Sequence, residues 1–199
     1  MVSMSLVTTP TPGSLSLADL EAMPDDGRRH ELIGGAIVMT AAPAPIHQMV
    51  AARVHPILQA AVGEDHFVFA APIDLDLPGG QRVEPDFVVV PWTSVGEQRL
   101  TLPVTLVVEI VSPGSQTNDR ITKRAAYAAA GIPAYWLIDL PARVITLLTL
   151  TATGVYQTLA EGPTVTATTA LAVTLDLDQL TRRPSPGGSQ QPPEEGRRS

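Results

Sequence analysis

Short apolar runs punctuated by Pro and Gly fill most of this chain, and they predict a strand-rich fold with few helices. The densest run is Leu106-Val107-Val108-Glu109-Ile110-Val111, closed by Ser112-Pro113. Branched apolar residues at that density predict a central strand covered on both faces. A second run, Val83-Glu84-Pro85-Asp86-Phe87-Val88-Val89-Val90, sets an acid at the head of four apolar residues. Upstream, Phe67-Val68-Phe69 opens a strand predicted to continue through Ile73-Asp74-Leu75-Asp76-Leu77, whose alternation gives one buried and one wet face. Pro78-Gly79-Gly80 turns the chain back, so the strand through Asp86 is predicted to lie antiparallel beside it.

The helical period shows in three places. Ser16-Leu17-Ala18-Asp19 has the spacing of a capping box and starts a short helix that Pro24 stops. Val50, Val54, Ile57, Leu58 and Ala61 cover one face of a helix from about 46 to 62, which Pro56 is expected to kink or end. His47, near its start, is expected at the surface. Asn118 or Asp119 is predicted to cap a third helix through Lys123, Ala126, Tyr127 and Ala130, with Gly131 ending it in the left-handed conformation.

Strands flank these helices. His30 to Ile33 and Ala36 to Thr40 form a hairpin around Gly34-Gly35, with Glu31 on its first arm. Tyr135 to Asp139 follows the third helix, and that strand-helix-strand order predicts a parallel pair. Runs at 144–147, 155–159 and 172–175 extend or wrap the sheet. The class is α/β (α+β), with extra C-terminal strands.

A chain of 199 residues suffices for one domain with a sizeable core. Residues 1–13 are rich in Ser, Thr and Pro, and 181–199 are too poor in apolar side chains to offset the entropy of ordering; both are expected to be disordered, leaving 14–180 as a single domain. The formal charge of −7 opposes nonspecific adhesion to a polyanion, although Arg120, Lys123 and Arg124 offer a local patch for phosphate. Aromatics, at 4%, are too few for a base-stacking platform. The absence of Cys excludes disulfides, thiolate metal sites and cysteine nucleophiles. Neither a secretory signal nor a membrane span is legible, and a cytoplasmic location is expected, with no membrane partner.

Glu109 is the costly residue. A carboxylate in so apolar a strand must be paired, metal-bound or protonated. With Asp86 at the head of a second apolar strand and Lys123 on the following helix, it suggests a divalent-metal nuclease site. Mg²⁺ and Mn²⁺ prefer oxygen ligands, and Asp86, Glu109 and the carbonyl of Ile110 would supply them. Lys123 would orient water or offset charge in the transition state. Blander readings compete: Asp86 as a strand-end acid, Lys123 in a helical pair with Asp119, Asp74 and Asp76 as a solvated face, and Tyr127 packing or hydrogen-bonding nearby.

Glu84-Pro85-Asp86 before four apolar residues, Val107-Val108-Glu109-Ile110-Val111-Ser112-Pro113, Lys123 with Tyr127, and Gly131-Ile132-Pro133-Ala134-Tyr135-Trp136-Leu137-Ile138-Asp139 together resemble the Uma2 family of endonucleases. That family is a branch of the PD-(D/E)XK restriction-endonuclease-like superfamily. The likeness begins at Leu17, takes in Arg29 to Gly35 and His47, and covers roughly 16 to 150. It implies a restriction-endonuclease-like core, a mixed central β-sheet flanked by helices, with Asp86 and Glu109 as the acidic pair and Glu31 as an extra acid from an earlier element. The superfamily's usual lysine position, two residues after the acid, is held here by Val111, and Lys123 is the natural replacement. The expected function is a Mg²⁺-dependent (or Mn²⁺-dependent) endonuclease that hydrolyses DNA phosphodiester bonds through Glu31, Asp86, Glu109 and Lys123. A homodimer would serve two-strand cleavage. The rival is a non-catalytic nucleic-acid-binding or assembly module of the same fold.

Overall fold

The computed structural model describes residues 14–25, 27–40 and 42–183. Ser16 caps α1 (Leu17–Glu21) through the reciprocal bonds with Asp19 that the spacing predicts. The hairpin follows as β1 (Arg29–Ile33) and β2 (Ala36–Thr40), then α2 (Pro45–Ala61). Next come β3 (His66–Ala70), β4 (Leu75–Leu77), β5 (Gln81–Val83), β6 (Phe87–Pro91) and β7 (Leu106–Val111). A π-helical segment, Asn118–Lys123, runs into α3 (Arg124–Ala129) and then β8 (Ala134–Asp139). The chain closes with β9 (Val144–Leu150), β10 (Tyr156–Gly162), β11 (Thr164–Ala167), β12 (Val173–Asp176) and α4 (Leu177–Thr181).

The main sheet has the order β10-β9-β8-β7-β6-β3 and is mixed: β7 and β8 run parallel, and the other neighbours antiparallel. A smaller sheet, β2-β1-β5-β4, and the β11-β12 pair complete the β-structure. All six residues of β7 are buried because both faces of the main sheet are covered. Leu106, Val108 and Ile110 pack with Val50, Val54 and Leu58 of α2 and with the β11-β12-α4 segment. Val107 and Val111 face the other way, onto Val83 of the small sheet and Ala126 and Tyr127 of α3. Each such apolar side chain contributes about 1.5–3 kcal/mol on burial.

The structure corrects several expectations. The run from Phe67 to Leu77 is two strands in two sheets, because it breaks at Ala71-Pro72; the run through Asp86 breaks likewise at Glu84-Pro85-Asp86. Proline has no N–H for a ladder, so the chain leaves the main sheet for the small one at Pro72 and returns to the main sheet at Pro85. The antiparallel pairing predicted for them holds in each sheet. Asp86 therefore lies at the crossing between sheets, one residue before β6.

Asn118 and Asp119 do not cap the third helix. Gln116 and Thr117 are already helical, and Asp119 sits inside the coil with its side chain buried. Pro56 does not end α2, which continues to Ala61. The basic run at 120–124 does not gather into a patch: Lys123 is buried, Arg124 donates to the Tyr156 carbonyl, and Arg120, though exposed, pairs with Asp139. β11 and α4 were not foreseen; α4 buries Leu177 and Leu180 behind an Asp176 cap. The stretches 1–13 and 184–199 lie outside the described residues. Among those described, no helix is long and apolar enough to cross a membrane.

Candidate active site

Alternation along β7 turns Glu109, between Val107 and Val111, toward the face that carries the small sheet and α3. The same alternation on β1 puts Arg29 and Glu31 on one side of that strand. Asp86 enters from the crossing of β5 and β6, and Lys123 from the end of the π-helical segment. These elements meet at one cavity of about 430 Å³, lined by Arg29, Glu31, Asp86, Glu109, Asp119 and Lys123 among others.

Lys123 ties the acids together. Its Nζ lies 2.8 Å from Glu31 Oε1, 3.0 Å from Glu109 Oε1 and 3.8 Å from Asp119 Oδ1. The helical pair with Asp119, the bland alternative, is thus the longest of its three contacts. The wide turn, with its i→i+5 bonding register, helps bring residues at both ends of the segment inward: Asn118 Nδ2 reaches Glu31 Oε2 at 3.4 Å while Lys123 reaches Oε1. Glu31 Oε1 also accepts the Glu84 amide at 2.7 Å. Tyr127, one turn after Lys123, donates its hydroxyl to Glu109 Oε1 at 2.9 Å.

Asp86 is held separately. Its Oδ2 accepts the Ile110 amide at 2.7 Å and His47 Nε2 at 3.0 Å, and its Oδ1 accepts from Arg29 at 3.2 Å. Its own amide points to Glu109 Oε2 at 3.4 Å, which joins the two acids.

Burial pushes Glu109 well above the ordinary carboxylate range; the Lys123 charge opposes this, and Asp119, Asp86 and Glu31 add to it. Lys123 stays protonated: burial works against its charge, but Glu109, Glu31 and Asp119 outweigh that and hold its pKa above that of a free lysine. Because Glu109 Oε1 already receives two donors, a proton on this acid would sit on Oε2. Asp86 goes the other way. Burial would raise it, yet the His47 bond and charge, Arg29 and the Ile110 amide together lower it. Burial lifts Asp119 to about 6 and Glu84 to about 7, in each case against a neighbouring cation, Lys123 or Arg29. Burial and Glu109 raise Tyr127, so it is a neutral donor.

All four acting residues predicted from the sequence, Glu31, Asp86, Glu109 and Lys123, therefore line the same cavity, and so does Ile110. Two partners were missed. His47 is 6% exposed rather than at the surface, and Arg29 binds both Glu84 and Asp86. The signals existed: His47 precedes Val50 and Val54 by three and seven residues, on the buried face of α2, and Arg29 shares a strand face with Glu31. Asp74 and Asp76 lie elsewhere, with Asp76 paired to Arg82 at 2.6 Å.

A mixed sheet carrying α2 on one face and α3 with a second sheet on the other is the restriction-endonuclease-like fold. The chain belongs to the Uma2 family, described as "Putative restriction endonuclease", which matches residues 17–179. A crystal structure of "a putative nuclease belonging to DUF820" from Anabaena variabilis is similar to it with a TM-score of 0.67, covering 84% of this chain and 97% of that one. At 16% identity this likeness bears on the fold. No curated protein matches.

Proposed function

We propose that the chain is a divalent-metal-dependent endonuclease that hydrolyses DNA phosphodiester bonds at the cavity between the two sheets. The observation that carries this reading is the convergence there of Glu31, Asp86 and Glu109 with a buried ammonium shared between two of them.

The donor set suits a hard cation. Three buried acids, Glu31, Glu109 and Asp119, surround Lys123 with a fourth, Asp86, beside Glu109, and burial, with repulsion from the other three added, raises Glu109. Glu109 Oε2 has only the long Asp86 amide as a donor. In an extended strand the amide and carbonyl of one residue leave the same edge, so the Ile110 carbonyl faces the side on which its amide meets Asp86. Asp86, Glu109 and that carbonyl would hold Mg²⁺ or Mn²⁺. When bound, such an ion lowers the pKa of water and polarises the phosphoryl oxygen.

The chain's own residues do the rest. Lys123 is a fixed positive charge and not a base, so it offsets charge that grows on the phosphoryl oxygens and orients the attacking water. Glu31 holds Lys123 through Oε1, and its Oε2, met by Asn118 Nδ2 at a long 3.4 Å, would position water. Tyr127 fixes Glu109, and His47 and Arg29 keep Asp86 ionised and oriented. Water oxygen bonds to phosphorus and gives up one proton to solvent, the P–O bond to the leaving sugar oxygen breaks, and that oxygen takes up one proton from solvent. DNA as the substrate follows the family resemblance. A homodimer would present two such cavities to the two strands of a duplex, and the cytoplasm is the compartment proposed.

One observation favours the rival, a non-catalytic module. Among the described residues no three His, Cys, Asp or Glu side chains are grouped as ready metal ligands, and the carboxylate oxygens already have protein donors. Purified protein with Mn²⁺ and supercoiled plasmid decides between them. Nicked or linear plasmid is expected, with the rate falling at least about a hundredfold in Asp86→Ala. Intact plasmid, together with calorimetry showing no Mn²⁺ uptake and no change on Glu109→Ala, would favour the module.

A further inference from the structure

The groups assigned to the chemistry all lie below the surface. Glu31, Asp86, Glu109 and Lys123 are each 5% exposed or less, and they meet in the cavity of about 430 Å³. Two loops contribute to its wall, one leading from β2 into α2 and the other following β7. Neither loop is charged: from 40 to 46, and again from 110 to 118, the sequence has no Lys, Arg, Asp or Glu. What the loops present to solvent is small or apolar, with Ala42, Ala44, Pro113 and Gly114 all exposed.

The two cations in the cavity wall are each held by two carboxylates, Arg29 by Glu84 and Asp86 and Lys123 by Glu31 and Glu109. Farther out, Arg82, Arg120 and Arg143 are paired with Asp76, Asp139 and Asp178. Arg53 donates to the Leu180 carbonyl, and Arg182 and Arg183 follow at the exposed end of α4. That helix packs on the face of the main sheet opposite the one that carries Tyr127 and α3. The charge left unpaired at α4 is thus turned away from the acids of the site.

A duplex is bound chiefly through cations set along its two phosphate rails, and it is stiff, with a persistence length of about 50 nm. It cannot bend one phosphate down between two loops, and uncharged loops give the neighbouring phosphates no counter-ion. An unpaired strand differs on both counts. Its backbone turns at each nucleotide, and its bases are free to lie on a protein surface. A cavity of this size encloses about one nucleotide.

We propose that the cavity takes nucleic acid where it is unpaired, with the phosphate to be cut lowered between the two loops and the flanking bases laid on Ala42, Ala44, Pro113 and Gly114. This rests on the nuclease reading and names its substrate as single strands and the parted stretches of a duplex, rather than closed duplex. In a homodimer each cavity would take one of the parted strands. The net charge of −7 is then less of an obstacle, because contact through bases depends less on neutralising phosphates. Aliphatic rims recognise no base edge, so the preference is for unpaired structure and not for sequence.

The test uses the full chain and one fluorescein-labelled strand of mixed sequence, either alone or annealed to its full complement as a blunt duplex. With Mn²⁺, the single strand is expected to be cut at least about tenfold faster than the duplex. Supercoiled plasmid is expected to be nicked, since negative supercoiling favours strand opening, and relaxed linear plasmid to be spared. Equal or faster cutting of the blunt duplex overturns the proposal and leaves the nuclease reading standing. Anisotropy of the same two substrates with Ca²⁺ separates the remaining cases. Tighter binding of the single strand without cleavage of either substrate in Mn²⁺ would sink the nuclease reading and keep the preference for unpaired strands. No cleavage together with equal binding, or with none, would overturn both.

Discussion

Replacing Lys123 by Met probes the centre of the site with little change of volume. The ammonium lies within 2.8 to 3.8 Å of three carboxylates, and the residue is 3% exposed. Removing one member of a buried ion pair costs about 3–5 kcal/mol, because the partner charge is left in a poorly solvated place. For a chain of this size each kcal/mol moves Tm by about 2–4 °C, so a fall of about 6–20 °C is expected. The loss should depend on pH. Burial already holds Glu109 and Asp119 above the values they have in the unfolded chain, and without the ammonium they rise further. An acid with a raised folded pKa costs nothing while it is protonated in both states; it destabilises as pH rises past the unfolded value and through the folded one. The variant should therefore approach wild-type stability near about pH 4 and fall furthest behind by about pH 8. Urea unfolding followed by the fluorescence of buried Trp136 at the two pH values measures this. A deficit under about 1 kcal/mol at the higher pH, or the same deficit at both, would refute Lys123 as the counter-ion of the cluster.

Asp119 sits at about 6 against an ordinary 3.8, so its charge costs the folded chain up to about 3 kcal/mol once pH exceeds the folded value. Asp119→Asn should then gain up to that amount at about pH 8 and nothing near about pH 4, and thermal melts showing no gain at high pH would contradict the assignment. Tyr127→Phe removes the hydroxyl that Glu109 Oε1 accepts at 2.9 Å. A loss of about 1–3 kcal/mol in urea unfolding is expected, and an unchanged midpoint would mean that the bond contributes nothing.

Much of the site was written locally. Glu109 stands out because no ordinary strand tolerates a lone acid among Val and Ile, and Asp86 because it precedes an apolar run of the same kind. The hairpin turn has Gly34 and Gly35 at φ of 59° and 79°, and Gly131 ends α3 at 74°, as glycine chemistry predicts. Those features depend on the period of apolar positions and on the backbone freedom of single residues, both of which a sequence displays.

What the sequence could not decide is which faces meet. Pro72 and Pro85 each announce an interruption, but only the packed sheets show that both strands there change sheets and leave Asp86 at the crossing. His47 looked like a surface residue until α2 was laid against the main sheet and brought it to 3.0 Å from Asp86. The basic run at 120–124 looked like a patch until Asp139, Tyr156 and the acid cluster claimed its members. Glu31 and Lys123 belong to elements far apart in the chain, and no local pattern can bring them to 2.8 Å. Local sequence sets what each segment prefers to be; the burial of two faces of one sheet decides which charges must share a cavity, because a buried charge takes its partner from whatever the packing brings within reach.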